Sequence, residues 1–359
     1  EIIKKVKHLY VFQRTPHYTV PARNSLLKYL RKNINNNSRK PLGYDNDIYV
    51  EEVKAHYSEF RIKAQNSVAA MALPINEESA LEVSEERRKK IYEDRWEKGG
   101  VPFIAAFQDL TIDREANETA AEFVRDKIKH LVKDPKTAKT LTPNYPIGCK
   151  RLAVDSNYYE TFNEPNISLI NLNTEPLEEF VSNGLSTRKN LYDLDAIILA
   201  TGFDAMTGAL TSLDIVGRNG IILRDQWKQG AKSYLGLGIS NFPNLFTITG
   251  PGSPSVLSNM MPSIEQHVNW ITDCIGWMID NNKSVIESSL AAEEEWMDLV
   301  NEIAGMTIFK STESWYNGSN IDSKAKAFLP FIGVPVYTEK LEEVTSNNYQ
   351  GFIFDTSNN

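Results

Sequence analysis

An unbroken apolar run that stops at a glycine is the feature that most constrains the fold of this chain. Residues 196–200, inside Asp195–Asp204, are all apolar, and Thr201 and Gly202 follow them. A run of this kind is typical of a strand buried on both faces of a parallel α/β sheet. A glycine directly after such a strand lets another backbone or a ligand come close, because it has no Cβ. In open α/β sheets cofactors bind beyond the carboxyl ends of the strands, so the run predicts a protein that binds a nucleotide cofactor.

A second run, Pro243–Gly250, predicts another short strand that ends on a glycine. A tight loop at 251–254 follows it, and then a helix over about Pro262–Ile279 with Pro262 at the first helical position. The predicted apolar face of this helix consists of Ile264, Val268, Ile271, Ile275 and Met278. A strand, a glycine loop and a helix N-terminus together form a place where backbone N–H groups can meet an electron-rich ligand atom.

The composition narrows the class of protein. A chain of 359 residues, 41% hydrophobic and 24% charged, is typical of a soluble globular protein of one to three domains. The net charge of −8 argues against a nucleic-acid partner. No apolar run approaches the ~20 residues that span a bilayer. Cys149 and Cys274 form no disulfide framework and no zinc spacing, so we expect no metal site and a reducing, cytoplasmic location.

Other segments complete the predicted pattern. Apolar residues predict strands at Leu9–Phe12, Arg151–Val154 and Ile167–Asn171. The first residues, Glu1–Lys7, resemble an amphipathic helix. Charged, helix-prone stretches occupy 84–96 and 114–132, and this middle region reads as a helical insertion with little chemistry in it.

Several side chains admit a structural interpretation beside a functional one. The chain contains no G-x-G-x-x-G fingerprint. Arg14 follows a predicted strand, where arginine accommodates the 2′-phosphate of NADP and an acidic residue selects NAD; a solvated arginine is the alternative. Trp315 lies in an aromatic loop and could be purely structural. We expect His267 to be a packed helix residue rather than a base, and Glu293–Glu295 to be a solvated helix face.

Five segments occur together in an order that resembles one family: Phe12–Pro16, Tyr145–Arg151, Asp155–Phe162, Ala200–Asp204 and Gly250–Met260. The chain resembles type I Baeyer–Villiger monooxygenases along essentially its whole length. The resemblance implies an α/β flavoprotein with two Rossmann-like dinucleotide-binding domains and an all-helical insertion. It also places the family's first FAD fingerprint before Glu1, so we expect the chain to be the carboxyl-terminal portion, incomplete at the N-terminus.

The resemblance implies four segments along the chain. They are a first segment of the NADP-binding domain at 1–30, the helical insertion at 31–146, a second NADP-binding segment at 147–201, and the carboxyl-terminal segment of the FAD-binding domain at 202–359.

The family's chemistry implies roles for individual residues. NADPH reduces FAD, the flavin reacts with O2, and a C4a-peroxyflavin attacks a ketone to give an ester or lactone. Arg151 resembles the arginine that stabilises the peroxyflavin, since its charge is permanent and cannot protonate the peroxide. Residues that match the clamp for the NADP 2′-phosphate are Arg14, Thr15 and Lys150. Further matches to cofactor-binding positions are Thr201, Gly202, Gly250, Met260 and Trp315. Matches to the substrate pocket are Ser255, Val256 and Leu257.

Two alternatives stay open from the sequence. One is a related flavin monooxygenase that oxidises a heteroatom, such as the sulfur of a sulfide, instead of a ketone. The other is a non-catalytic remnant that retains no FAD, because the chain lacks the glycine-rich loops that hold a dinucleotide pyrophosphate. The sequence leaves the oligomeric state open.

Overall fold

The computed structural model describes residues 1–23, 54–71, 75–319, 321 and 324–355. The described residues form two compact units. Unit 1 contains residues 1–23 and 75–202, and unit 2 contains residues 54–71 and 203–355. The described parts of the expected helical insertion are therefore divided between the units, and the four functional segments stay a prediction.

Helices supply most of the regular structure in the described residues. The longer helices are α1 (Tyr57–Gln65), α2 (Glu85–Lys98), α3 (Arg114–Leu131), α4 (Met260–Asp280), α5 (Leu290–Gly305) and α6 (Val334–Ser346). Short helices are Pro135–Leu141, Tyr158–Thr161, Gly208–Thr211 and Leu223–Gln226. Single 3₁₀ turns are Ile2–Lys4, Val101–Ala105, Arg218–Gly220, Trp227–Gln229, Ser255–Leu257, Ile308–Ser311 and Trp315–Asn317. The side chains of Ser84 and Asp113 cap α2 and α3 by accepting backbone N–H groups, so both helices begin where the sequence predicts. At the start of the chain only the turn Ile2–Lys4 is helical, and the longer amphipathic helix expected there is wrong.

The strands form small separate sheets. They are β1 (Leu9–Gln13), β2 (Thr19–Pro21), β3 (Ala153–Asp155), β4 (Ile167–Asn171), β5 (Leu177–Val181), β6 (Gly184–Thr187), β7 (Leu191–Asp193), β8 (Val285–Ser288) and β9 (Phe352–Asp355). In unit 1, β1 pairs in parallel with β4, and β2 pairs in parallel with β3. These pairs confirm the three strands predicted near Leu9, Ala153 and Ile167. In unit 2, β8 and β9 are antiparallel.

The antiparallel sheet β5–β6–β7 is absent from the sequence prediction. Its first turn holds Asn183 followed by Gly184, a dipeptide typical of a tight hairpin. A Cβ at Gly184 would come within 1.9 Å of the carbonyl oxygen of Tyr192, so the sheet requires glycine there. The hairpin signal was present in the sequence and could have identified these strands.

The apolar run 196–200 is not the buried strand that its sequence predicts. It has no strand structure, and Ile198 and Leu199 are 76% and 67% exposed, with Phe203 just beyond at 89%. A strand needs a hydrogen-bonded neighbour, and no described strand pairs with this run. Strand propensity alone is therefore insufficient at this position.

The second predicted strand, Pro243–Gly250, is also wrong. Asn244 and Thr249 have positive φ angles of 58° and 55°, which interrupt an extended ladder. The segment is instead held by irregular bonds, such as the one from the Thr247 N–H to the Leu237 carbonyl at 2.9 Å.

The helix after this segment starts earlier than predicted. Asn259 caps α4, so Met260 is the first helical residue and Pro262 the third. The predicted apolar face is wrong in part, since Val268 and Ile275 are exposed, whereas Met278 is buried and Ile271 packs against the core. The face that packs inward consists of Ser263, His267, Trp270, Cys274 and Met278.

Each unit has its own apolar core. The core of unit 1 contains aromatic rings from α2 and from the turn at Val101–Ala105, such as Tyr92 and Phe103. These rings pack with small residues of α3. In unit 2, α4, α5 and α6 enclose Trp296 and Tyr337. Glu293 is buried among them, which corrects the solvated face expected for residues 293–295; residues 294 and 295 are exposed. No helix in the described ranges combines the length and apolarity needed to cross a membrane.

Candidate cofactor and substrate sites

In unit 1 a turn formed by Tyr145–Arg151 carries two of the predicted site cations. Ile147, inside the turn, is 1% exposed. Its N–H donates to Asn117 Oδ1 at 3.0 Å and its carbonyl accepts from Asn117 Nδ2 at 2.8 Å. Gly148 has a φ of +87°, and a Cβ there would come within 2.9 Å of Ile104 Cδ1. The turn is therefore fixed against the helical core of unit 1.

His17 joins this turn to the segment after β1. Its Nε2 lies 2.7 Å from the carbonyl oxygen of Arg151 and its Nδ1 lies 2.8 Å from Tyr145 Oη. A carbonyl only accepts, so Nε2 carries the proton and Nδ1 accepts from the tyrosine hydroxyl. Burial lowers the pKa of His17, the bond to the Arg151 carbonyl raises it, and the charge of Lys150 lowers it. The imidazole is therefore held neutral, and it connects the two segments that carry the predicted NADP clamp.

The cations themselves are accessible at this place. The side chains of Arg14, Thr15 and Arg151 are exposed, and that of Lys150 is half-buried. Lys150 Nζ lies 4.9 Å from the centre of the Tyr145 ring, a cation–π contact that restricts its position. His17 thus bonds the turn that carries Lys150 and Arg151 to the segment that directly follows Arg14 and Thr15.

Thr201 and Gly202 do not join this assembly through any described contact. Both are exposed. Gly202 has a φ of +89°, a conformation that favours glycine, and a Cβ there would meet open space. The backbone conformation therefore favours glycine at this position, and the space around it is open.

In unit 2 the Gly250–Met260 segment starts with a tightly held turn. A Cβ on Gly250 would come within 2.7 Å of the Gly236 carbonyl oxygen. Gly252 has a φ of +86°, and its carbonyl accepts from Trp296 Nε1 at 3.0 Å. The glycines of this motif are thus required by the packing of the chain itself.

His267 fixes the residue that precedes this turn. Its Nδ1 accepts from the Thr249 N–H at 2.9 Å, and its Nε2 lies 2.7 Å from Tyr337 Oη. The tyrosine hydroxyl donates to the Leu235 carbonyl at 2.6 Å, so Nε2–H donates to the tyrosine oxygen. Burial lowers the pKa of His267 to about 4. The ring is neutral and fully bonded, which agrees with the packed helix histidine that we expected and not with a base.

Two of the predicted substrate-pocket residues and the predicted tryptophan pack against one apolar cluster of unit 2. Val256, Leu257 and Trp315 all pack against buried Tyr316 and Phe328. Trp315 begins a 3₁₀ turn capped by Ser314. Ser255 is buried, and Met260 is half-buried at the start of α4.

Sequence reasoning missed Asn117 and His17, the two side chains that hold the Tyr145–Arg151 turn. Asn117 lies outside the five segments that resemble the family, and His17 directly follows one of them, Phe12–Pro16. The one available signal is that Asn117 interrupts the small apolar residues of the buried α3 face, where an amide requires partners. Across the parts of the chain that the structure describes, no group of three or more His, Cys, Asp or Glu residues is placed to hold a metal ion.

Comparison with known proteins identifies the family. The chain is 38% identical over 354 residues to a phenazine N-monooxygenase of Lysobacter antibioticus, covering 98% of this chain and 62% of that protein. It is 36% identical over 350 residues to a cyclohexanone 1,2-monooxygenase of an Acinetobacter species, covering 96% and 61%. The solved structure of OTEMO in complex with FAD and NADP is 31% identical, with a TM-score of 0.88 over 98% of this chain and 63% of that one. Over almost all of its own length the chain matches type I Baeyer–Villiger monooxygenases.

The chain spans about three fifths of the length of the relatives it matches. Over that length it has the fold of flavoproteins with two dinucleotide-binding domains, as the sequence predicts. No family model matches the chain.

Proposed function

We propose that the protein is a FAD-dependent, NADPH-consuming monooxygenase that inserts one oxygen atom of O2 beside a ketone carbonyl to give an ester or lactone. The observation that supports this most directly is the Tyr145–Arg151 turn. It holds Lys150 and Arg151 next to the Arg14–Thr15 segment through His17, in a chain related to a cyclohexanone 1,2-monooxygenase.

The cations of unit 1 fit NADP(H). Arg14 and Lys150 supply positive charge, and Thr15 supplies a hydroxyl, where a 2′-phosphate needs both. The exposure of Arg14 and Thr15 leaves them accessible. In this role they distinguish NADPH from NADH, which lacks the phosphate.

Arg151 is the proposed catalytic cation. FAD, when bound, supplies the redox chemistry that couples NADPH oxidation to the activation of O2. Arg151 contributes a permanent positive charge where negative charge develops during oxygen transfer, and it cannot act as an acid that would quench the reaction. Its backbone is fixed by the bond from His17, so little reorganisation is needed.

For unit 2 we propose a part in flavin and substrate binding. Gly250, Met260 and Trp315 are proposed cofactor contacts in this unit. In unit 1, Thr201 and Gly202 are separately proposed as cofactor contacts. Ser255, Val256 and Leu257 are the proposed substrate-pocket residues, supported by the apolar cluster in which Val256, Leu257 and Trp315 pack together. An apolar lining suits a ketone and excludes water.

A product assay tests the proposal. The protein is mixed with FAD, NADPH, cyclohexanone and ¹⁸O₂, and the expected product is a lactone that carries one ¹⁸O atom, detected by mass spectrometry. Stoichiometric oxidation of NADPH without lactone would contradict the oxygen-insertion step. Binding of NADP⁺ with no bound flavin, seen as the absence of a visible absorption band, would favour the non-catalytic alternative.

A second candidate function is oxidation of a heteroatom. The 38% identity to a phenazine N-monooxygenase favours it. The same assay with a tertiary aromatic amine or a sulfide beside cyclohexanone separates the two, because an N-oxide or sulfoxide without lactone identifies the heteroatom reaction.

A further inference from the structure

Asn117 lies in the middle helical region, for which the sequence predicts little chemistry. Its exposed fraction is 1%. It sits on the inward face of α3 among Ala116, Ala120 and Ala121, which are also buried. A primary amide in such surroundings destabilises the fold unless its polar atoms are bonded. We therefore expect hydrogen-bond partners for both the nitrogen and the oxygen of the Asn117 side chain.

The nitrogen of this amide donates two hydrogen bonds, and its oxygen accepts one. Asn117 Nδ2 donates to the Leu110 carbonyl at 2.7 Å and to the Ile147 carbonyl at 2.8 Å. Asn117 Oδ1 accepts the Ile147 N–H at 3.0 Å. The two bonds to one residue reproduce the pairing of opposed residues in an antiparallel ladder. A helix side chain thus replaces a neighbouring strand for a turn that lies outside the described sheets.

The bonds of Asn117 and His17 hold the turn on both sides of its cations. Asn117 fixes Ile147, and His17 fixes the carbonyl of Arg151. Between them Gly148 has a left-handed backbone and Cys149 is buried. The backbone that carries Lys150 and Arg151 is therefore set by the two polar side chains.

We propose that Asn117 is a positioning residue that holds Lys150 and Arg151 in the geometry required for the anionic cofactor. The proposal rests on the proposed function where it concerns NADP⁺, and on the contacts alone where it concerns the turn. Asn117 acts through the backbone of Ile147 and does not itself touch the ligand.

Hydrogen exchange measured by mass spectrometry on the 359-residue chain tests the positioning of the turn. In Asn117→Ala the backbone amides from 147 to 151 are expected to exchange ~10-fold faster or more, because the two bonds that hold Ile147 are lost. Asn117→Asp keeps the shape but places a carboxylate oxygen against the Leu110 and Ile147 carbonyls, which need a donor, so it is expected to accelerate exchange at least as much as the alanine variant.

Asn163→Ala is the matched control. Asn163 also clamps backbone, accepting from the Lys133 N–H and donating to the Leu131 carbonyl, both at 2.8 Å, away from the turn. It is expected to leave exchange at 147–151 unchanged. Equal acceleration of these amides in both variants, or none in Asn117→Ala and Asn117→Asp, would overturn the proposal.

A double-mutant cycle with Lys150→Ala supplies the functional readout. NADP⁺ is titrated against the wild type, Asn117→Ala, Lys150→Ala and the double variant. Asn117→Ala is expected to weaken binding ~10-fold, and the double variant to bind no more weakly than the weaker single variant, since a misplaced lysine contributes little. Full additivity would overturn the coupling. If the wild type does not bind NADP⁺, the proposed function fails and hydrogen exchange alone decides the role of Asn117.

Discussion

Two histidines, one in each unit, hold segments that carry proposed site residues, and they do so with the same bonding pattern. His17 accepts from Tyr145 and donates to the Arg151 carbonyl. His267 accepts from the Thr249 N–H and donates to Tyr337. Both are neutral and protonated on Nε2, and both are paired with a tyrosine. What differs is the surroundings of each ring.

His267 is fully buried, and its partners are buried or backbone groups, so its segment is set by the core of unit 2. His17 is half-buried and lies beside accessible cations, so its segment is set at a surface that a ligand can reach. The same pattern therefore serves two purposes. In unit 2 it shapes a rigid lining, and in unit 1 it presents charge.

The largest effect is expected at the charge that His17 helps to present. Arg151→Ala in the FAD-loaded protein should lower ester or lactone formation ~100-fold or more, since removing one preorganised charge contact in an active site has effects of this size. NADPH oxidation should continue, because hydride transfer does not need this cation in the proposed mechanism. Product by gas chromatography and NADPH by absorbance at 340 nm measure the two.

The matched control for this change is Arg188→Ala in the same unit. Arg188 is exposed and 3.9 Å from Glu178, outside the Tyr145–Arg151 turn. Its product yield should equal that of the wild type. If Arg151→Ala kept its yield, the catalytic role of Arg151 would be wrong.

The next effect concerns pH and the burial of His267. Its folded-state pKa of about 4 lies below the ordinary value of 6.5. The unfolded chain therefore binds more protons between these values, and stability is lost as the pH falls from 6.5 towards 4. The contribution to the free energy of unfolding is about 3 kcal/mol. Urea unfolding at pH 7 and pH 4.5 measures it.

Comparison with a variant isolates this histidine. His267→Gln should be less stable at pH 7 but should lose less stability between pH 7 and pH 4.5 than the wild type. His130→Gln changes an exposed histidine and should keep the wild-type slope. A wild-type slope in His267→Gln would show that the burial of this ring does not govern the acid response.

The two units also show what the sequence could predict. Ile167–Asn171 and the run 196–200 have similar apolar patterns, but only the first is a strand, because β1 pairs with it in parallel. Pairing is a property of the rest of the chain, and a local pattern does not contain it. The strand prediction for Pro243–Gly250 is wrong for a different reason, because positive φ angles at Asn244 and Thr249 interrupt the extended backbone.

The site was predicted unevenly for a related reason. Arg14, Lys150 and Arg151 could be proposed as site residues because they lie in segments that resemble a family. Asn117 makes two hydrogen bonds to the backbone of Ile147, 30 residues away, and His17 makes one to the carbonyl of Arg151, 134 residues away. Such bonds depend on the distance between the two residues in the fold and not on a motif, so no spacing in the sequence predicts them.

A smaller effect is expected at Lys150. Lys150→Ala should weaken NADP⁺ binding ~10-fold, in the range of one lost charge-assisted hydrogen bond. NAD⁺ binding should change little, because NAD⁺ lacks the 2′-phosphate. Isothermal titration of both nucleotides tests this, with the exposed Lys139→Ala as the control. An equal loss for NAD⁺ and NADP⁺ would assign Lys150 to another part of the nucleotide.

The smallest effect is expected in the lining that unit 2 provides. Leu257 is half-buried against Tyr316 and Phe328 and carries no charge. Leu257→Ala removes apolar contact area, so it should shift the ratio of turnover between a small and a bulky cyclic ketone by ~10-fold or less. NADP⁺ affinity should not change. Leu299→Ala, a half-buried leucine that packs on the other core of unit 2, should leave the ratio unchanged. If Leu257→Ala lowered both turnover rates equally, the leucine would only support the fold, and substrate preference would have to be set by other residues than this lining.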